Sequence, residues 1–523
     1  MSEILQKLKA IVGNDNLLTD ELSRQLYVTD VFTRGLPALA IVRPTTKEQL
    51  GAIVKTAVDA DIPVVPRGGG MSYTSGYVPK YKNSIMIDMV NMNQVVDINT
   101  QDMYVTVEAG CSWKKLHEAL QSSGYRTPFW GTLSGIHATV GGGLSQNSIF
   151  WGSALHGPAA DSVVSMSVVL ADGSVVDTGS ASHKNATPWH RHFGPDLTGI
   201  FVGDGGALGF KATVTLKLIP DTPARRGVSF AVETGDTLLA FVSEVSRQQL
   251  ASEVCGFDPF LQNQRLKRES LGKDLKALGG VMKSAGSIGK ALKAGTKVAL
   301  AGRGYMKEVK FSVHIWIEER YEELADLKQQ SVLKLASEFG LREIENSIPT
   351  IMRANPFGPV NSMIGPQAER WLPVHCVAPH SIVRDVYKAI DEMYERNRVK
   401  IEQFNVGCGF LFATVGNNAT VIEPVFFWPE TLNELHRYAV EKEHLRKLKE
   451  YPANPEATAF IHQLRRELID IFTRFGTVHM QLGKSYPYDE QIKPEAWTLV
   501  EALKQHVDPK GLLNPGTLGL EAK

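Results

Sequence analysis

An α+β fold is predicted for this chain by three observations on its texture. From residue 39 to 218 short β-branched runs alternate with amphipathic helical stretches and glycine clusters. After Thr222 long polar helical stretches interleave with apolar strands, and from about Gly476 the chain turns glycine- and proline-rich again. A length of 523 residues exceeds what one hydrophobic core fills. The simplest organisation is an N-terminal domain (1–222), an inserted α/β cap domain (223–475) with antiparallel strands, and a C-terminal segment (476–523) that returns to the first domain. A basic insertion falls at about 262–305.

Composition excludes several classes. Lys and Arg number 56 and Asp and Glu 56, a net charge of +0, so the total points to no nucleic acid. No apolar run approaches the roughly 20 residues of a membrane span. The start, MSEILQKLKAIVG, reads as a short amphipathic helix without signal-peptide architecture. Cys111, Cys255, Cys376 and Cys408 stand far apart, in no CxxC pair. They are expected to be free thiols, with no metal site, and the expected location is cytoplasmic.

In the first domain AIVRP and IPVVP are strands that each end at a proline, joined by the helix TTKEQLGAIVKTAVDA with Thr45 or Thr46 as N-cap. SIMIDM and MYVTVEAG carry the strand period, and WKKLHEALQSSG is a helix with a glycine stop. VVSMSVVLADGSVV pairs two strands about Asp172-Gly173. In the second domain ERYEELADLKQQSVLKLASEFG and SIVRDVYKAIDEMYERNR are helical, while EVKFSVHIWI and TVIEPVFFW are strands.

Three glycine-rich segments carry the chemistry. VVPRGGGMSYTSGY (64–77) follows a strand, and its glycines let backbone N–H groups approach an anion that Arg67 is placed to neutralise. GTLSGIHATVGGGLSQNS (131–148) and GPDLTGIFVGDGGALGF (194–210) repeat the device. None fits the G-x-G-x-x-G dinucleotide fingerprint or a Walker A loop, and each alone reads equally as a tight turn. Glycine's entropic cost makes three such segments in one domain unlike mere turns.

Taken with VTVEAGCSWKKLHEAL and the terminal DPKGLLNPG, these segments resemble the vanillyl-alcohol oxidase / p-cresol methylhydroxylase flavoprotein superfamily. The resemblance implies a two-subdomain FAD-binding domain of the p-cresol methylhydroxylase type, a cap over the substrate, and a nucleotide-binding oxidoreductase. FAD would be held by Pro66, Arg67, Gly68, Gly69, Gly70, Met71 and Ser72 at the pyrophosphate. Thr139, Gly141, Gly142, Gly143 and Ser145 would run along the flavin, and Gly203, Gly205 and Gly209 would back the adenine side, with Asn514 from the tail. Some relatives bond the flavin through a histidine where Met71 stands, so noncovalent FAD is expected, with attachment from the cap left open.

RFGTVHMQLGKSYPY (474–488) is similar to the EHGIGxxK-type segment of the D-lactate dehydrogenase and glycolate oxidase branch, with Val478 in place of its glutamate. That likeness makes His479 the candidate general base and Lys484 a candidate contact for a carboxylate or the flavin. In RWLPVHCVAPHS, His375 alternates with Pro373 and Val377, a second catalytic candidate set against a plain core histidine. Tyr73, Trp151, Arg370, Phe427 and Tyr486 are candidate pocket residues, set against ordinary core aromatics. The Tyr-Arg clamp of para-phenol oxidising relatives aligns with Gly476 and Thr477, and their aspartate with Ser145. The expected reaction is therefore oxidation of an alcohol or 2-hydroxy acid by hydride transfer to flavin, with a para-phenol oxidase and a non-catalytic flavin subunit as alternatives.

The basic run LKRESLGKDLKALGGVMKSAGSIGKALKAGTKVALAGR (266–303) reads as a solvated cap insertion or as a contact to an anionic membrane face. The expected partners are a small-molecule substrate and an electron acceptor (oxygen, quinone or a carrier protein), with a homodimer left as an alternative.

Overall fold

A computed structural model describes residues 2–268 and 309–523. Most of the basic run and of the expected insertion thus lies outside the described residues.

The glycine segments are set by two small sheets. β1 (Leu17–Leu18), β2 (Ala40–Val42), β3 (Val64–Arg67) and β4 (Ile85–Asp88) form a sheet of order β1-β2-β4-β3. Strands β2, β4 and β3 run parallel, so the β2–β3 connection must cross over, and it does so through the helix Lys47–Asp59. Thr46 is the cap: its side chain accepts from the Gln49 N–H. The helix buries Leu50, Ile53, Val54, Ala57 and Val58, a stripe at helical spacing laid on the sheet.

The outer edge of β3 is covered by the chain's own end. Val64 N–H donates to the Leu512 carbonyl and Asn514 N–H to that of Val64, which puts Leu513 alongside the strand. The edge that delivers the first glycine segment is therefore closed by the NPG tail.

The next strands are β5 (Val95–Asn99), β6 (Tyr104–Glu108), β7 (Tyr125–Arg126), β8 (Val163–Val169), β9 (Val175–Asp177), β10 (Phe210–Lys217) and β11 (Ile219–Pro220). Five form an antiparallel sheet of order β5-β6-β10-β8-β9, while β7 pairs with β11. The β8–β9 hairpin turns at Asp172–Gly173, where Gly173 has φ +82°, a conformation that glycine takes without steric cost.

The cap is one sheet of eight antiparallel strands: β12 (Ala224–Val232), β13 (Glu253–Phe257), β14 (Phe311–Glu319), β15 (Arg342–Ile344), β16 (Arg370–Pro373), β17 (Cys376–Pro379), β18 (Gly407–Val415) and β19 (Ala419–Trp428). Its order is β15-β12-β14-β13-β18-β19-β16, with β17 also on β19. The helices Gly235–Arg247, Glu322–Glu338, Val383–Arg396 and Pro455–Phe475 pack on one face against Val313, Ile315, Phe412, Ile422, Phe426 and Trp428. The strand period of two sends the alternate residues, Val421, Glu423, Val425 and Phe427 of β19 among them, towards the glycine segments. The architecture is the predicted α+β one.

The second glycine run departs from its sequence reading. It is a short helix, Val140–Ser145, capped by Thr139, whose side chain accepts from the Gly142 N–H. A Cβ on Gly141 would come within 2.6 Å of Ala109 Cβ, and one on Gly143 within 2.9 Å of the Trp113 indole nitrogen. Two of its three glycines thus allow close packing of the helix on the strand and helix behind it.

Candidate functional site

Between the cap sheet and the glycine segments lies a cavity of about 490 Å³. One wall is Pro66, Gly68, Gly69, Gly70, Met71 and Ser72, continued by Thr139, Gly141, Gly142, Gly143 and Ser145, then Gly205 and Gly209. The opposite wall is the sheet face just described, completed by Tyr73, Trp371, Met480 and Gln481.

The glycine wall is built to present backbone. A Cβ on Gly69 would fall 1.9 Å from the His137 carbonyl oxygen, so no other residue fits where the first segment crosses the second. The N–H groups of Gly69, Gly70, Met71 and Ser72 donate to no other described residue, four donors in a row available to an anion. The third segment docks on the short helix through Gly203 N–H to the Leu144 carbonyl and Gly205 N–H to that of Ser145. This donor set and the length of the glycine wall fit the pyrophosphate and ring system of a flavin dinucleotide.

Three of the expected cofactor residues stand behind this wall. Arg67 points to the far side of β3, its guanidinium 4.5 Å from the Tyr27 ring centre and 5.3 Å from that of Tyr77. It is 6% exposed, and its Nε has no hydrogen-bond partner. Strand alternation is the reason, since Pro66 is the residue of β3 that faces the cavity. Gly203 turns the third segment at φ +69°. Asn514 is the pin of the assembly: its amide donates to the carbonyls of Gly76 and Gly205, and its oxygen accepts from Lys484 Nζ at 2.6 Å.

The catalytic candidates also lie behind the cavity lining. Lys484 donates to the Val78 carbonyl and to Asn514, and burial pushes it down to about 7. His479 stacks on Tyr486 with ring centres 4.0 Å apart, and its Nδ1 contacts the His375 carbonyl. Burial lowers it to about 4, and its Nε2 is buried without a partner. His375 is held at about 3 by burial and the neighbouring His479. Its Nε2 accepts from the Gln481 backbone N–H at 3.3 Å, and its Nδ1 lies 3.3 Å from the Tyr486 hydroxyl. Accepting at Nε2 puts the one imidazole proton on Nδ1, facing the Tyr486 oxygen.

Of the pocket candidates, Tyr73 and Phe427 line the cavity and Tyr486 sits behind His375. Trp151 stacks on Trp130 at 5.0 Å and donates from Nε1 to the Pro356 carbonyl, within the wall. Arg370 spends its guanidinium on the carbonyls of Val31, Phe32 and Thr431.

The carboxyl in the cavity lining, among the described residues, is Glu423, which sequence reading passed over. Burial pushes its carboxyl up to about 7. The Tyr73 hydroxyl donates to its Oε2 at 3.4 Å and also meets the Gln481 side chain. The only cation in the lining, among the described residues, is Lys211, which is paired with Asp204 at 2.6 Å. A signal existed: TVIEPVFFW places one carboxylate in an otherwise apolar strand, and buried carboxylates are seldom there for packing.

Comparison with known proteins agrees with the glycine wall. Residues 38–179 match the family model of the FAD binding domain, and residues 482–518 that of the C-terminal domain of FAD linked oxidases. An uncharacterised FAD-linked oxidoreductase of Escherichia coli is 31% identical over 230 residues, 42% of this chain and 46% of its own length. A mitochondrial D-lactate dehydrogenase (cytochrome) of Arabidopsis thaliana is 31% identical over 263 residues, 48% of this chain and 44% of its own. A glycolate oxidase subunit of Bacillus subtilis is 26% identical over 245 residues, 46% of this chain and 50% of its own. The chain thus spans about half the length of the curated relatives it matches.

Among solved structures, p-cresol methylhydroxylase with substrate bound superposes with a TM-score of 0.74 at 18% identity, covering 99% of this chain and 97% of that one. The 4-ethylphenol oxidase of Gulosibacter chungangensis gives 0.70 at 16% identity, over 100% and 97%. These likenesses show the p-cresol methylhydroxylase-type fold, and with the matched domains they make FAD the cofactor.

Proposed function

We propose that a chain built on this FAD-binding domain is an FAD-dependent oxidoreductase that oxidises a hydroxyl-bearing carbon. Its substrate, on this reading, is an alcohol with an apolar body. The observation that carries the proposal is Glu423, a half-buried carboxyl in the cavity wall opposite the glycine segments, pushed up to about 7 by desolvation.

Bound FAD supplies the acceptor for the hydride of the carbinol carbon. Residues 68–72, 139–145 and 205–209 would hold it. Glu423 takes the hydroxyl proton, since a base with a pKa near the working pH combines a useful ionised fraction with proton affinity. Tyr73 orients that carboxylate, the Gln481 side chain meets Tyr73, and His375 fixes Gln481 through its backbone N–H. The remaining wall, with Trp371, Leu411, Val421, Val425, Phe427 and Met480, excludes water and receives the apolar part of the substrate. The acceptor that would restore the cofactor is, on this reading, oxygen, a quinone or a carrier protein. Met71 in the first segment offers no nucleophile to the flavin, which supports noncovalent binding.

A 2-hydroxy acid fits this cavity poorly. Its carboxylate would lie beside Glu423 with no free cation among the described lining residues, and an unpaired buried charge costs several kcal/mol. A second reading, a para-substituted phenol, draws on the Tyr73–Glu423 pair, which has the hydrogen-bonding capacity to hold a phenol hydroxyl while Glu423 is protonated.

Anaerobic mixing of the holoenzyme with apolar alcohols, para-alkylphenols, lactate and glycolate tests the proposal. Bleaching of the flavin by an apolar alcohol is expected. Bleaching by lactate or glycolate alone would overturn the substrate assignment, and para-alkylphenols alone would favour the second reading. A flavin that none of them reduces would leave a non-catalytic flavin subunit.

A further inference from the structure

We propose that Arg126, Arg225 and Arg353 form a binding site for a small oxyanion, a carboxylate or a phosphate, at the seam between the FAD-binding part and the cap sheet. Arg126 belongs to β7, Arg225 to β12 and Arg353 to the helix Ser347–Ala354. All three converge on one carboxylate, Glu318 of β14. Arg353 bonds to it directly, whereas Nη2 of Arg126 and Nε of Arg225 stop at 3.7 and 3.8 Å, beyond hydrogen-bond reach.

Arg126 is 4% exposed. Its Nη1 is used by the carbonyls of Thr127 and Pro128, but its Nε and Nη2 are buried without an acceptor, as is Nε of Arg225. Leaving guanidinium N–H groups unpaired in the interior is costly. Among the described residues, the surroundings do not supply the missing acceptors. Asp221 acts on Arg126 and Arg225 through the field alone, and Glu319 is engaged by Lys328 at 2.6 Å. His117 and His156 are each pushed down to about 4 by burial and by these arginines, so they are neutral. An oxyanion supplies both the negative charge and the lone pairs, in the planar geometry that a guanidinium fork matches. The Arg225 side chain, 33% exposed, marks the entrance.

The seat is joined to the cavity wall. The Arg353 guanidinium lies 4.6 Å over the Trp130 ring, which stacks on Trp151, which donates to the Pro356 carbonyl. Met352 and Pro356, on either side of this contact, line the cavity. An anion that fixes Arg353 therefore also fixes that stretch of wall.

The test is thermal unfolding of the FAD-saturated wild-type protein in inorganic phosphate, in acetate, and in sodium chloride at matched ionic strength. A saturable rise of about 2 °C is expected with phosphate or acetate over chloride. Comparison of the two assigns the site to a phosphate or a carboxylate. Arg225→Gln is expected to abolish the rise. Glu318→Gln, which removes the competing carboxylate, is expected to lower the half-saturating concentration at least about fivefold. Equal effects of chloride, no rise at all, or a rise undiminished in Arg225→Gln would overturn the proposal. Should Arg225→Gln fail to fold, an unchanged half-saturation in Glu318→Gln would do the same.

Discussion

The Tyr73 hydroxyl donates to Oε2 of Glu423 at 3.4 Å, across 350 residues of sequence, from the end of the first glycine segment to the middle of a cap strand. This contact joins the cofactor wall to the cap at Glu423, the carboxyl that lines the cavity among the described residues. Glu423→Gln keeps the shape and removes the base. The expected outcome is an unchanged FAD absorbance spectrum with flavin reduction slowed by about a hundredfold or more. Reduction at the wild-type rate in stopped flow would show that another group takes the proton.

The pH dependence follows from the raised pKa of Glu423. The ionised form is the base, so flavin reduction should rise with pH through about 7 and level off above it. Folding stability runs the other way. The folded protein binds this proton more tightly than the unfolded chain, so the contribution of Glu423 is present below the ordinary value of 4.5 and is lost as pH rises through about 7. Glu423→Gln should flatten that part of the profile. Denaturant melts of wild type and variant between pH 4 and 8 give the comparison.

His479 and His375 separate a positioning role from a chemical one. His479→Ala removes a ring stacked on Tyr486 but nothing that lines the cavity. It should cost about 1–3 kcal/mol of stability while slowing flavin reduction less than about tenfold. A loss of a hundredfold or more would return His479 to the chemistry. His375→Phe removes the acceptor of the Gln481 N–H, so its rate loss should come with an altered pH profile, as Glu423 loses its alignment. An unaltered profile would mark His375 as plain core.

How much of this was legible in the sequence depends on which signal each element carries. The β2–helix–β3 unit was readable because Thr46, the apolar stripe and the closing prolines all specify it locally. The first glycine segment follows a strand, as its sequence suggests, but the side to which Arg67 turns could not be read, because a strand's period becomes a direction only once the partner surface is known. The cavity face of β19 was hidden for a different reason. Both faces of that strand are buried, so Ile422 and Phe426 look like Val421 and Val425 in the sequence. The motif around His479 was recognisable, yet stacking on Tyr486 and the bond to His375 turn it away from the cavity, and such long-range contacts leave no local trace.

Asn514 offers the sharpest test of the tail's part in holding the cofactor. One side chain bonds the carbonyls of Gly76 and Gly205 and accepts from Lys484, tying the first and third glycine segments to the chain's end. It sits at φ +40°, a backbone state that asparagine tolerates better than alanine does. Asn514→Ala leaves the carbonyls of Gly76 and Gly205 without this donor, each worth about 1–3 kcal/mol, and leaves Lys484 only the Val78 carbonyl. Without the pin the two segments are free to part, so FAD affinity should fall by at least about tenfold and the segment 508–523 should become open to proteolysis in the apoprotein. Lys484→Met, which packs the aliphatic stem but removes the charge, should lower FAD affinity less, because the bonds from Asn514 to Gly76 and Gly205 persist. If FAD titration found Lys484→Met the more damaging, the lysine itself would be the group that holds the cofactor.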